Sequence, residues 1–299
     1  MSDRLKYVVQ NNFLADLSAE EILASGGRLA LGVLFQELKS LGEEVYLGNR
    51  SVSHAPLFPE YDESDFFDPS KVNPKDCIAI YPEFSGDNVL NCGSVVRWLL
   101  HIPGHIGGEP HLWDKEKELF FAYGDWQKAG SEAIGLKVED LLLTTIHIDH
   151  DSFYYKDNPK REGTCYTVHK PVLGEVFRDP VPEGSICVDP FKRDTNFLSA
   201  CFHNSEFFYS YDDKTFLTAL AGLCGCKVVI ASRTNMSKDE WVKEEPYFRK
   251  YGVAYGVEDI PHAEETVNLV AGQIKIFEDR ASETVKNFVD YTQNHFRIE

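Results

Sequence analysis

The stretch SEFFYSYDDKTFLTALAGLCGCKVVIAS, Ser205 to Ser232, restricts the fold more than any other part of the chain. A β-prone run, Glu206–Tyr209, leads into a helix of small and apolar residues starting near Lys214. The helix is followed at once by a second β-prone run, Cys226–Ser232. Short strands that alternate with helices close into a mostly parallel sheet covered on both faces. The pattern recurs upstream. Leu5–Val9, Glu44–Leu47 and Asp76–Tyr81 read as strands and Gly26–Leu41 as a helix. GSVVRWLLHIP reads as a helix stopped by Pro103, and LLLTTIHID as a further strand.

The polar stretch DSFYYKDNPKREG, Asp151–Gly163, is the expected linker. A second series follows it: strands at Thr164–Lys170 and Ser185–Asp189, a helix at Thr195–Asn204, then the opening stretch. Two closing helices are expected, Ala263–Ile276 and Ala281–His295. The expected fold class is α/β, with two Rossmann-like doubly wound domains facing a cleft. The expected domains are residues 1–157 and residues 158–299, the last helix crossing back to the first domain. A length of 299 residues suits two such domains.

Composition narrows the partners. A formal net charge of -18 argues against nucleic acid, whose phosphates require a basic surface. MSDRLKYVVQNN has no apolar run of signal-peptide type, and no stretch approaches ~18 apolar residues, so a cytoplasmic protein without a membrane span is expected. Seven cysteines, an odd number scattered through strand-like and helical runs, fit reduced, buried thiols.

Two helix mouths carry candidate chemistry. Asp212 or Asp213 is placed to cap the helix near Lys214, with Thr215 in its first turn and Tyr209, Ser210 and Tyr211 at the end of the preceding strand. The first turn of a helix offers free N–H groups and the positive end of its dipole, which suit a diphosphate. Gly26 and Gly27 open the first long helix, where the lack of a side chain allows close approach to phosphate. The plain alternative at both places is a helix packed in the core.

Five segments in this order resemble the GT-B-fold glycosyltransferases of polysaccharide biosynthesis, which use nucleotide sugars. They are ASGGRLALGVLFQELKSLGEEVYL, IAIYPEFSGDNVLNCGSVVRWLLHIPG, TCYTVHK, FFYSYDDKTFLTALAGLCGCKVVIAS and YGVAYGVEDIPHAEET. The resemblance implies transfer of a hexosyl or related sugar from a nucleoside-diphosphate sugar to a saccharide or lipid-linked acceptor. It also implies no cofactor and no obligatory metal. The donor's nucleotide is then expected on the C-terminal domain, at Lys170, Tyr209, Ser210, Tyr211, Asp212 and Thr215, helped by Gly26 and Gly27, and the acceptor on the N-terminal one. Lys170 would supply a cation to the departing diphosphate. Asp212 occupies the first of two acidic positions of the retaining members, whereas Leu220 stands where a ribose-binding glutamate is expected.

Among carboxylates, Glu83 in YPEF is the leading candidate for the base, with Asp87 and Asp125 behind it. The catalytic set is therefore Glu83, Lys170 and Asp212. Two other readings stay open: a non-catalytic nucleotide- or sugar-binding protein of the same fold, and a metal-dependent hydrolase built on HIDHD, His147–Asp151.

Overall fold

The computed structural model describes residues 4–10, 26–48, 62–104, 110–168, 172, 174–191 and 194–297. The chain divides into two compact units. One comprises the described residues up to His147 and those from Asp279 on; the other runs from Ile148 to Glu278.

The first unit contains β1 (Lys6–Val9), α1 (Gly26–Ser40), β2 (Val45–Leu47), β3 (Cys77–Pro82), β4 (Ser94–Leu99), β5 (Leu119–Ala122) and α2 (Asp125–Ala133). Its strands are all parallel, in the order β2-β1-β3-β4-β5. Successive strand residues point to opposite faces. Tyr7, Val9, Ile78, Ile80, Val96 and Trp98 thus share one core with Leu31, Leu34 and Phe35 of α1. Val8, Cys77, Ala79, Tyr81 and Val95 form the other.

GSVVRWLLHIP is a strand and not the expected helix: Ser94–Leu99 is β4, paired on both sides, with Val95–Leu99 buried. A strand covered on both faces reads as an unbroken apolar run, so it loses the alternation that separates strand from helix. Gly93 leads into it where a Cβ would collide with the Lys75 carbonyl. LLLTTIHID is not a laddered strand. It follows the edge of β5 through isolated bonds, Leu143 N–H to the Ala122 carbonyl (2.9 Å) and Thr144 Oγ1 to the Tyr123 carbonyl (2.6 Å).

The second unit contains β6 (Thr164–Thr167), β7 (Phe177–Arg178), β8 (Ile186–Cys187), α3 (Thr195–Asn204), β9 (Phe207–Ser210) and α4 (Leu217–Leu223). After these come β10 (Lys227–Ile230), β11 (Ser232–Arg233), α5 (Lys238–Glu244), α6 (Pro246–Arg249), β12 (Val253–Ala254) and α7 (Ile260–Thr266). Its five-stranded sheet is also parallel, in the order β8-β6-β9-β10-β12. Taken in chain order, each sheet runs second, first, third, fourth, fifth. In this doubly wound arrangement the order reverses between the first and third strands, β1 and β3 or β6 and β9, and ligands bind beyond the carboxyl ends there. A separate antiparallel pair joins β7 to β11, with Ser232 opposite Arg178.

Asp151–Gly163, expected as a linker, is clamped onto the second unit. Arg161 Nη1 donates to the Phe202 carbonyl (2.7 Å) and Asn158 Nδ2 to that of His203 (3.1 Å). The closing helices also differ from expectation. After α7, a single 26-residue helix, α8 (Val270–His295), runs straight through the polar FEDR that reads as a break. Its later residues Val285, Phe288 and Val289 join the core of the first sheet, and Tyr7 Oη meets Thr292 Oγ1 at 2.8 Å.

Candidate functional site

At the carboxyl edge of the second sheet, the expected helix mouth takes a different form. α4 begins at Leu217, and its cap position falls on Phe216, which makes no side-chain capping bond. Neither Asp212 nor Asp213 caps it, and Thr215 precedes it. Asp212 Oδ1 instead accepts the Lys214 N–H (3.1 Å), a turn of the kind aspartate favours over helix continuation. The neighbouring side chains are enclosed: Tyr209, Ser210, Tyr211 and Asp212 are all buried. Ser210 Oγ donates to the Asp212 carbonyl (2.5 Å), and Tyr211 Oη to the Asp179 carbonyl (3.0 Å). Burial pushes the Tyr211 phenol up to about 12. These residues hold the loop in shape, and the half-buried Asp213, exposed Lys214 and half-buried Thr215 form its outer side.

Two arginines here belong to no motif of the sequence. Arg178 on β7 lies over the Tyr211 ring (4.7 Å to the centroid) and is half exposed; its Nη1 meets Glu175 at 2.9 Å. Arg233, the last residue of β11, is buried. It forks onto both Asp179 oxygens at 3.1 Å and reaches Glu258 Oε1 at 2.5 Å and the Tyr255 carbonyl at 3.0 Å. Gly256 makes this possible, since its φ is 95° and a Cβ there would collide with Arg233 Nη1. The usable clue was position: an arginine just past VVIAS stands at the ligand side of a parallel sheet. Lys170 lies outside the described residues.

The first sheet's edge is different. Glu83, one residue past β3, is only 3% exposed. Its Oε2 accepts the Leu100 N–H at 3.1 Å. Burial is the dominant influence and pushes the carboxyl up to about 7, against the nearby peptide N–H groups, which favour the charged form. Gly27, in the first turn of α1, faces the same residue: a Cβ there would lie 3.5 Å from Leu100 Cδ1. The structure thus brings Gly27 and Glu83 to one edge through Leu100. Gly26 and Gly27 belong to the first unit and Tyr209–Thr215 to the second. Asp87 Oδ1 accepts the Asn88 N–H (2.7 Å), and Asp125 opens α2.

HIDHD does not assemble as a metal cluster. Asp149 Oδ1 accepts the N–H groups of Asp151 (3.1 Å) and Ser152 (3.3 Å), while His150 Nε2 turns to Glu278 Oε1 at 2.7 Å. Among the described residues, no group of three or more His, Cys, Asp or Glu is placed to hold a metal ion. Likewise, among them no helix is long and apolar enough to cross a membrane.

No known family's sequence profile matches the chain, and no curated protein matches it in sequence. Solved structures do match in three dimensions. The DNA-modifying enzyme β-glucosyltransferase, solved with and without its substrate uridine diphosphoglucose, aligns with a TM-score of 0.51. The alignment has 11% identity and covers 96% of this chain and 100% of that one. Two weaker alignments cover 99% of this chain and 98% of theirs. One is to a Listeria monocytogenes protein assigned as a UDP-N-acetylglucosamine 2-epimerase (TM-score 0.41, 10% identity), the other to S. aureus MnaA with UDP (TM-score 0.42, 9% identity). Two parallel doubly wound sheets and the alignment to β-glucosyltransferase agree on one architecture: the chain has the GT-B fold of two Rossmann-like domains.

Proposed function

We propose that the protein is a glycosyltransferase that moves a sugar from a nucleoside-diphosphate sugar to a hydroxyl of a saccharide or lipid-linked acceptor. The observation that carries this reading is Glu83. A buried carboxyl at the ligand edge of a parallel sheet, with its proton affinity raised to about 7, suits a general base at neutral pH. A protein that only bound a nucleotide would have no use for it. In the reaction Glu83 takes the proton of the acceptor hydroxyl as its oxygen bonds to the anomeric carbon. The bond from that carbon to the diphosphate oxygen breaks, and the nucleoside diphosphate leaves.

The donor is assigned to the second unit. Arg178 and Lys214, each about half exposed at its carboxyl edge, supply charge for a diphosphate, and Lys170 is proposed to add to them. Tyr209, Ser210, Tyr211 and Asp212 shape the loop beneath, with Thr215 on its rim. Gly26 and Gly27 are proposed to let the donor approach the start of α1. A net charge of -18 favours a saccharide acceptor over DNA, although the aligned β-glucosyltransferase modifies DNA.

The test has two arms. Thermal shifts with UDP, GDP, CDP, ADP and dTDP, each with EDTA and with magnesium, should single out one nucleotide, because a ligand of the native state alone raises its stability. Transfer from the matching nucleotide sugars should fall about 10²- to 10⁴-fold in kcat in Glu83→Gln, the usual contribution of a general base, with nucleotide binding retained. A Glu83→Gln enzyme that transfers sugar at the wild-type rate would refute the assignment.

A further inference from the structure

Gly48, Gln10 and Glu83 are each the first residue past a strand, β2, β1 and β3 in turn, and these three strands are neighbours in that order. They form one row along the carboxyl edge of the first sheet. Gln10 is at its centre, beside the switch point between β1 and β3. The row is firmly held. The Gln10 N–H donates to the Ile80 carbonyl and the Gly48 N–H to the Val9 carbonyl, both at 2.9 Å, so each ladder continues one residue beyond its strand. Neighbouring strands lie about 4.8 Å apart, which leaves Gln10 and Glu83 within reach of one small ligand.

Gln10 is a costly residue to bury there. It follows Tyr7, Val8 and Val9, all fully buried, and is itself only 5% exposed. Its Oε1 is buried with no hydrogen-bond partner among the described residues. A Cβ on Gly48 would lie 3.5 Å from this oxygen and 3.4 Å from Leu90 Cδ1, so the nearest neighbours on that side are a glycine and a leucine. Leu90 ends the loop that begins at Glu83, held by its N–H on Tyr81 Oη at 3.0 Å. An unsatisfied buried acceptor is unfavourable, and a methionine or leucine would fill the same space without that penalty. The penalty is offset where a ligand brings the missing donor.

We propose that Gln10 is a specificity-determining residue for the acceptor saccharide: its Oε1 receives a hydrogen bond from a second hydroxyl of the sugar ring whose reacting hydroxyl faces Glu83. The proposal rests on the reading of Glu83 as the base and of the acceptor as a saccharide. An amide oxygen only accepts, so its partner is a hydroxyl or an N–H and not an ether or a carbonyl. A buried group of this kind selects strongly, because an analogue without the hydroxyl binds with Oε1 still unpaired.

The test uses Gln10→Met and Gln10→Leu, which keep an apolar filling and remove the acceptor. Both should melt no lower than wild type, since each removes an orphaned oxygen. A clear fall in melting temperature in both would make Gln10 a structural contact and overturn the inference. Transfer is then measured from the nucleotide sugar selected by thermal shift to the p-nitrophenyl glycosides of glucose, galactose, mannose and N-acetylglucosamine. The monodeoxy analogues of the glycoside that is used follow. At a position other than the reacting one, wild type should use one deoxy analogue about 10- to 100-fold less well in kcat/KM. Both variants should use that analogue and its parent equally. A wild type indifferent to every such deletion, or variants that discriminate as wild type does, overturns the role of Gln10 and leaves Glu83 as the base. Transfer to none of the four glycosides overturns the saccharide acceptor and this inference with it. Undiminished transfer by Glu83→Gln overturns the base alone.

Discussion

The two sheets share one strand order and have opposite chemistry at their carboxyl edges. Beyond β3, a single carboxyl is enclosed among peptide N–H groups and apolar side chains, and its proton affinity rises to about 7. Beyond β10, Arg233 is gripped by Asp179 and Glu258, while Lys238 Nζ meets Asp259 Oδ2 at 2.6 Å close by. Topology decides where a ligand can lie; the first few residues past each strand decide what can be done to it. An isolated buried acid is suited to receive a proton. Charges already matched to one another are suited to hold a loop still beside a charged ligand.

The largest expected effect separates these two roles by sign. Arg233→Met should destabilise the protein by about 3–5 kcal/mol, because it leaves Asp179, itself largely buried, without its cation. Chemical denaturation at pH 7 measures this, and a cost under about 1 kcal/mol would show that the network is merely a surface arrangement. Glu83→Gln should do the reverse. The Glu83 carboxyl rises from 4.5 to about 7 on folding, so between these values the native state holds a proton that the unfolded chain releases. Its contribution to stability is fully present below pH 4.5 and is lost as pH climbs to about 7. At pH 8 the wild type carries a buried charge costing up to about 3 kcal/mol at ~1.4 kcal/mol per pH unit. Glu83→Gln should therefore be the more stable protein at pH 8 and gain little at pH 4. Denaturation curves of both at the two pH values decide it, and equal stabilities at pH 8 would mean that the carboxylate is well solvated.

Much of this contrast was legible in the sequence, and the missing part has identifiable causes. The βαβ alternation gave the α/β class, and Thr195–Asn204 was bounded as observed because Asp194 caps it, accepting the Phe197 N–H at 2.9 Å. Ser94–Leu99 was lost because burial on both faces erases the alternation of a strand. The aspartates of SYDD promised a helix cap, and instead Asp212 closes a turn ahead of α4, since the same side chain satisfies either backbone. Glu83 stood out as a candidate by its place after a strand. Its dryness did not, because the Leu100 N–H that grips it lies just past the end of β4, a segment that reads as a helix in the sequence. Arg233 and Asp179 lie 54 residues apart, and no local pattern announces a pair at that separation.

The smallest expected effect concerns how the charged edge is built. Gly256 combines φ 95° with ψ 165°, a region open to little besides glycine, and it sits against the Arg233 guanidinium. Gly256→Ala should cost about 1–3 kcal/mol from backbone strain alone, with a further part from pushing Arg233 off its carboxylates. The two parts separate in a double-mutant cycle. In the Arg233→Met background the displaced guanidinium is already gone, so Gly256→Ala should cost only its strain, and the two losses should fall short of additive by about 0.5–3 kcal/mol. Full additivity would mean that Gly256 serves the turn into α7 and not the ion network. The second edge would then be held by two independent devices, whereas the first depends on the one carboxyl.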